Sequence, residues 1–267
     1  MLKRTKKLKR RSPIREIDKP LRLPGQSLQN RLYDLSEKVA EAAVMIGVFA
    51  GVCFWSGFTW LFKTPEHVEF IVSAVFLLGT LIYYVPRFKR SVAEMKRVKQ
   101  GRDGERYVAD ILDEVKVGGG YVLHDLVAGD FNLDHVLITR RGVYAIETKT
   151  LSKLEGKQHQ LEFDGKQLKI GSQTLKRDPL AQARGNAKWL SDLLERTTGK
   201  TYPVRPVVLF PGWFIKSPKD AFKSDVWVLN PKALAKFVQN ESMRLEPEQV
   251  LLALEHLKSF SRRDLTS

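Results

Sequence analysis

Ala42 to Phe62 is a run of 21 residues without a charged side chain, and Phe70 to Val85 is a second run of 16. About 20 apolar residues in a helix cross the hydrocarbon core of a bilayer. The first run has that length, and the second reaches it when extended through Val68 and Pro86. Trp55, Trp60, Tyr83 and Tyr84 fall near the ends of the runs, where interfacial aromatics belong, and Glu41 borders the first run within reach of the interface. A secretory signal would begin its apolar stretch much nearer Met1 and end it at a small-residue cleavage site, which this sequence does not do. A buried hairpin in a soluble core fits the aromatic placement less well. The expectation is a two-helix transmembrane hairpin over residues 39–86, embedded in a lipid bilayer.

Lys63 to Glu69, between the runs, is short and contains Pro65, so both chain ends should lie on one side. Residues 1–38 carry twelve Lys and Arg against four acidic residues, and Arg87, Lys89, Arg90, Lys96, Arg97 and Lys99 follow the second run, whereas Lys63 alone lies between the two. The positive-inside rule then places the N-terminus and the C-terminal region in the cytoplasm. The single cysteine, Cys53, excludes an intramolecular disulfide and is compatible with a reducing compartment. The basic arm of residues 1–38, with its run Lys3 to Arg11, suits anionic lipid headgroups. Residues 87–267 hold 32 basic and 23 acidic residues, a balance that favours a polyanionic partner.

After a juxtamembrane linker, residues 87–100, the pattern changes to that of a folded domain over residues 101–262. Val108, Ile111, Leu112 and Val115 make a helical stripe that Gly118, Gly119 and Gly120 end. Tyr121 to Val127, Leu133 to Thr139 and Val143 to Thr150 alternate as strands, the last two forming a hairpin through Arg140, Arg141 and Gly142. Gln160 to Ile170 reads as another hairpin, turned at Asp164 and Gly165. Asp178 and Pro179 mark the start of a helix that buries Leu180, Ala183, Ala187, Leu190 and Leu194. Val204 to Phe210 and Val226 to Leu229 follow as strands, and Lys232 to Gln239 and Pro247 to Phe260 as helices. The order implies one mixed α/β domain.

Glu147 and Lys149, two residues apart on a strand, project from one face. With a tight turn at Arg140 to Gly142, facing residues sum to 281 or 283, so Asp134 lies opposite Glu147 or Lys149. The sheet is apolar on both faces, through Val136, Ile138 and Ala145 on one and Leu133, Leu137, Tyr144 and Ile146 on the other, so it should be covered on both. Charges on such a face are costly unless they pair or hold a metal. Glu105 falls on the inward stripe of the preceding helix, and Gln182 can border the same cleft. Carboxylates of this kind suit Mg²⁺, which keeps waters for a phosphate substrate, and hydrolysis of a phosphodiester is the chemistry that follows.

These residues resemble the nuclease-related domain, NERD, itself similar to the PD-(D/E)xK nuclease superfamily. The resemblance covers roughly Gln100 to Pro211. It rests on Gly101-Arg-Asp-Gly104-Glu105, Asn132-Leu-Asp134-His135, Arg141-Gly142-Val143-Tyr-Ala-Ile-Glu147-Thr-Lys149 and Asp178-Pro-Leu-Ala-Gln182. Leu133 stands where the superfamily's name has Pro. The resemblance implies a restriction-endonuclease-like mixed sheet flanked by helices, and Mg²⁺- or Mn²⁺-dependent cleavage of DNA. It also implies active-site roles for Glu105, Asp134, Glu147, Lys149 and Gln182, with Asp134, Glu147 and Glu105 as metal ligands, and a bacterial inner membrane as the location.

His135 should point away from the carboxylates as a core histidine, and His124 and His159 show no metal spacing with it. The glycine run lacks the following Lys-Ser/Thr of a phosphate loop. Lys153, Lys157, Lys166, Lys169, Lys176 and Arg177 fit a nucleic-acid backbone or a solvated face equally well. Trp213 and Phe214 suit core packing better than base stacking. Two other function classes stay open: a membrane-tethered nucleic-acid-binding module without turnover, and a membrane scaffold or signalling protein.

Overall fold

Two long helices, α1 from Gln26 to Phe62 and α2 from His67 to Lys116, lead the chain in a computed structural model that describes residues 21–62, 67–116, 119–152, 160–171, 173–175 and 178–264. The run Lys3 to Arg11 and the turn with Lys63 and Pro65 lie outside the described residues. The two helices meet through small and aromatic side chains. Ser56 and Ser73 share a hydroxyl hydrogen bond of 2.6 Å. Trp60 stacks on Phe70 with 5.4 Å between ring centroids and donates to His67 Nδ1 at 2.7 Å. Gly57 makes room for the Phe70 ring, which a Cβ there would meet at 3.1 Å.

Both helices are long and apolar enough to cross a membrane. Only 6% of the apolar stretch of α1 and 11% of that of α2 is buried within the chain, unlike a helix at a soluble core. Phe54, Ile71, Phe76 and Ile82 instead present bare apolar surface. Residues 87–100, expected as a linker, are helical and continue α2 through Pro86. A proline inside a helix forfeits one backbone hydrogen bond, and within an apolar segment the rest of the helix still has to satisfy itself. The Arg87 guanidinium supports the same turn, donating to the Tyr83 carbonyl at 3.0 Å.

The described residues between 25 and 107 form one compact unit, and residues 21–24 join those from 108 onward in another. Leu21 packs against the core of that second unit, and Arg22 Nη1 lies 3.4 Å from Asp125 Oδ2. Asp125 is buried and adopts a left-handed backbone, with φ of +49°. Asn132 donates to its other oxygen at 3.3 Å.

The second unit is built on a five-stranded mixed sheet of β1 (Tyr121–Ala128), β2 (Phe131–Thr139), β3 (Gly142–Thr148), β7 (Val204–Leu209) and β9 (Trp227–Leu229), in that spatial order. The first three strands are antiparallel, and β7 and β9 continue parallel to β3. Every residue of β3 is buried, as a central strand covered on both faces requires. One face, with Val136, Ile138, Val143 and Ala145, packs on α3 (Pro179–Thr198) and α5 (Pro247–Asp264). The other, with Leu137, Tyr144 and Ile146, packs on Val108 and Leu112 of α2, Trp227, and Leu234 and Val238 of α4 (Leu234–Asn240). The restriction-endonuclease-like expectation of a mixed sheet flanked by helices therefore matches the architecture in outline.

A smaller sheet orders β6 (Gln173–Thr174), β5 (Leu168–Ile170), β4 (Gln160–Phe163) and β8 (Phe214–Lys216). The β4–β5 turn is closed by Asp164, whose Oδ1 accepts the Lys166 and Gln167 amides at 2.8 and 2.7 Å. In the large sheet, Thr139 faces Gly142 and His135 faces Ile146, so facing residues sum to 281, one of the two expected registers. Gly142 holds φ of +144°, and a Cβ there would come within 3.2 Å of the Pro203 carbonyl. Gly142→Ala is therefore expected to cost about 1–3 kcal/mol of stability through backbone strain. Chemical denaturation measures it, and a loss below about 0.5 kcal/mol would contradict the constraint.

Candidate active site

The ladder between β2 and β3 ends at His135 and Ile146. One step further the side chain of Asp134 replaces the backbone: its Oδ2 accepts the Thr148 amide at 2.7 Å. On its other edge β3 keeps to β7, with Glu147 facing Val208 and the Lys149 amide donating to the Leu209 carbonyl at 2.8 Å. Asp134 therefore meets β3 at the residue after Glu147. Helix α3 supplies the third wall. Asp178 caps its start by accepting the Leu180 and Ala181 amides at 2.9 and 3.2 Å, Pro179 fits the first turn, and Gly199 ends the helix with φ of +69°. With the helix fixed at both ends, Gln182 and Asn186, four residues apart, share a face.

That face meets Glu147. The carboxylate is 4% exposed and is held by three donors: Lys149 Nζ and Gln182 Nε2 reach its Oε1 at 2.7 and 2.8 Å, and Asn186 Nδ2 reaches its Oε2 at 2.9 Å. Gln182 returns its own oxygen to Lys149 Nζ at 2.8 Å, closing a triangle. Burial pushes the Glu147 carboxyl above its ordinary value, while the Lys149 charge and the hydrogen bonds from Lys149, Asn186 and Gln182 pull it back. An ammonium carries three donors, so Lys149, 29% exposed, keeps one N–H for a water or a phosphate oxygen.

Asp134, Glu147, Lys149 and Gln182 are thus brought together. Asn186 joins them without a sequence signal, since an Asn four residues after a Gln on a helix looks like an ordinary solvated pair. Glu105 is buried on α2, in the unit of residues 25–107. His135 is fully buried on the opposite face, its Nδ1 2.8 Å from that of His124. Burial drives both imidazoles down, His124 to about 4 with help from the nearby Lys116 charge, so both are neutral, and His135 is the core histidine expected. Trp213 is buried and donates to the Leu151 carbonyl at 3.3 Å, whereas Phe214 is exposed. Lys153, Lys157, His159, Lys176 and Arg177 lie outside the described residues.

Gly101, Glu105, Asp134, Glu147, Lys149, Asp178 and Gln182 fall within one stretch of chain that a known family describes. Residues 100–211 match NERD, the nuclease-related domain. No curated protein and no solved structure matches the chain. The matched segment contains β1 to β7 and α3, and so carries every element that builds the Glu147 cluster. Among the described residues, no group of three or more His, Cys, Asp and Glu is gathered as a metal cage gathers them. Mg²⁺ asks for less, since it takes one or two carboxylates and retains its waters. Asp134, which accepts the Thr148 amide, and the adjacent Glu147 supply two carboxylates, which meets that requirement by donor chemistry.

Proposed function

We propose that the NERD domain is a metal-dependent nuclease that hydrolyses phosphodiesters of nucleic acid, DNA first, while tethered to a membrane by α1 and α2. The observation that carries this reading is the Glu147 carboxylate, buried yet held by Lys149, Gln182 and Asn186, with Asp134 accepting the amide of the next residue, Thr148. A charged group that costly to bury points to chemistry. Asp134 and Glu147 would hold Mg²⁺ or Mn²⁺. The ion would supply Lewis-acid polarisation of the phosphoryl group and acidify water. Lys149 orients the attacking water or meets the negative charge that develops on phosphate. Gln182 fixes the Lys149 ammonium, and Asn186 fixes the far carboxylate oxygen, so neither group must reorganise during the reaction. Basic flanks on both apolar helices favour an orientation with the domain in the cytoplasm, at a bacterial inner membrane, and the basic N-terminal arm would rest on anionic headgroups.

The test uses the full chain in detergent micelles, with single- and double-stranded DNA and RNA, in Mg²⁺ or Mn²⁺ and with chelator. Wild-type protein should cut DNA only with metal, and Asp134→Asn should cut at least about a hundredfold more slowly. Salt-sensitive DNA binding that ignores Asp134→Asn, without cleavage, would instead identify a tethering module. Absence of binding would leave a scaffold.

A further inference from the structure

Opposite the carboxylates, where the β2–β3 turn meets the start of β7, lies a cavity of about 200 Å³ lined by Arg141, Arg205, Arg244, Glu241, Tyr144 and Pro203, among others. By a rise of about 3.3 Å per residue, the four steps from Val143 to Glu147 separate it by about 13 Å along β3 from the proposed catalytic end. The site is held in place by the backbone. The Arg140 carbonyl accepts the Arg244 and Leu245 amides at 2.8 and 2.9 Å, pinning the segment after α4 onto the turn, and the Val143 amide donates to the Pro203 carbonyl at 3.1 Å.

The charges around this cavity do not balance. Three guanidiniums, which stay charged at any physiological pH, meet one carboxylate. Arg244 Nη2 donates to Glu241 Oε2 at 2.7 Å, and Arg205 Nη2 stands 4.0 Å from its Oε1. Among the described residues, Arg141 donates to a neutral group, the Glu241 carbonyl. Arg205 is oriented by the Asp225 carbonyl, which accepts from its Nη1 at 3.3 Å, and by the Trp227 ring 5.3 Å beneath it. Each guanidinium has five N–H groups in a rigid fork, and the contacts just named use few of them. The Tyr144 hydroxyl is buried and makes no hydrogen bond among the described residues. Burial, with the Glu241 carboxylate adding to it, pushes this phenol up to about 12 against the pull of the Arg205 and Arg244 charges, so it stays a neutral donor.

We infer that this cavity is a second binding site, for a phosphate group, in which Arg141, Arg205 and Arg244 hold the anion and Glu241 occupies the place it takes. Planar guanidinium forks match phosphate oxygens two at a time. At about 30 Å³ per water, the space equals six or seven waters, enough for a phosphate with part of a sugar and too little for a folded partner. This inference goes beyond the nuclease reading and does not depend on it.

The test is isothermal titration of the full chain in micelles with inorganic phosphate, with AMP, and with a short oligonucleotide lacking terminal phosphates. Phosphate or AMP should bind, weaken at least tenfold in the double variant Arg205→Gln with Arg244→Gln, and tighten severalfold in Glu241→Gln, which removes the internal competitor. The gain in Glu241→Gln guards against a double variant that merely misfolds. Binding of the oligonucleotide alone, with the same response to the variants, would assign the phosphate to a nucleic-acid backbone and not to a free nucleotide. If no phosphate species binds, or if binding ignores all three substitutions, the site is overturned. Loss of DNA cleavage in Asp134→Asn bears on the other end of β3 and leaves this outcome unaffected.

Discussion

Glu147→Gln is expected to lower nucleic-acid cleavage by at least about a thousandfold while leaving the domain no less stable. The two effects part because the carboxylate is retained at a cost to folding. Burial raises its pKa, so the folded chain holds the Glu147 proton more tightly than the unfolded chain does. The stability this group contributes is full below the ordinary carboxylate value and is lost as pH rises through the raised one. Glutamine keeps the shape of the protonated form at every pH. Thermal melts at pH 5 and pH 8 should therefore differ less in the variant than in the wild type, alongside a cleavage assay at neutral pH. A variant that loses stability in step with activity would show that Glu147 is structural and would remove the basis for the catalytic reading.

Lys149→Met should produce the largest stability effect at the site, a loss of about 3 kcal/mol at pH 8, because it strips the full positive charge bonded to the buried Glu147 carboxylate. Its direction with pH follows from the same proton. The Lys149 charge is the leading influence that lowers the Glu147 pKa against burial. Without it the carboxyl climbs further, and the pH range over which stability is lost extends upward. Toward acid pH the group takes up its proton, so the loss should be smaller at pH 5 than at pH 8. Denaturant titrations at the two pH values measure this, and an equal loss at both would mean that the ammonium stabilises through packing alone.

Much of this site was legible because its parts are local. The two-residue spacing of Glu147 and Lys149 fixes a shared face, the tight turn at Arg140 and Arg141 narrows the register to two choices, and Asp178 followed by Pro179 announces the helix that brings Gln182. What stayed hidden depends on how distant segments meet. Asn186 gains its meaning only when α3 docks on β3 and its amide reaches Glu147 Oε2. The pairing of β4 with β8 joins Gln160 to Phe214 across more than fifty residues, which alternation within either strand does not encode. The second span extends through Pro86, but the helical continuation over residues 87–100 reads as a linker because charges there end the apolar run, and charge does not end a helix.

The contacts of Leu21 and Arg22 change what a soluble fragment of this protein would be. Both residues precede α1, yet they belong to the compact unit that resumes at Val108. The helical hairpin is therefore an insertion within that unit, not an appendage at its front. Where α1 and α2 both traverse a bilayer, the crossings between Arg22 and Val108 must be even in number. A truncation that begins after the second span would also discard the guanidinium beside buried Asp125, so domain work calls for a short loop replacing the hairpin, with Leu21 and Arg22 retained.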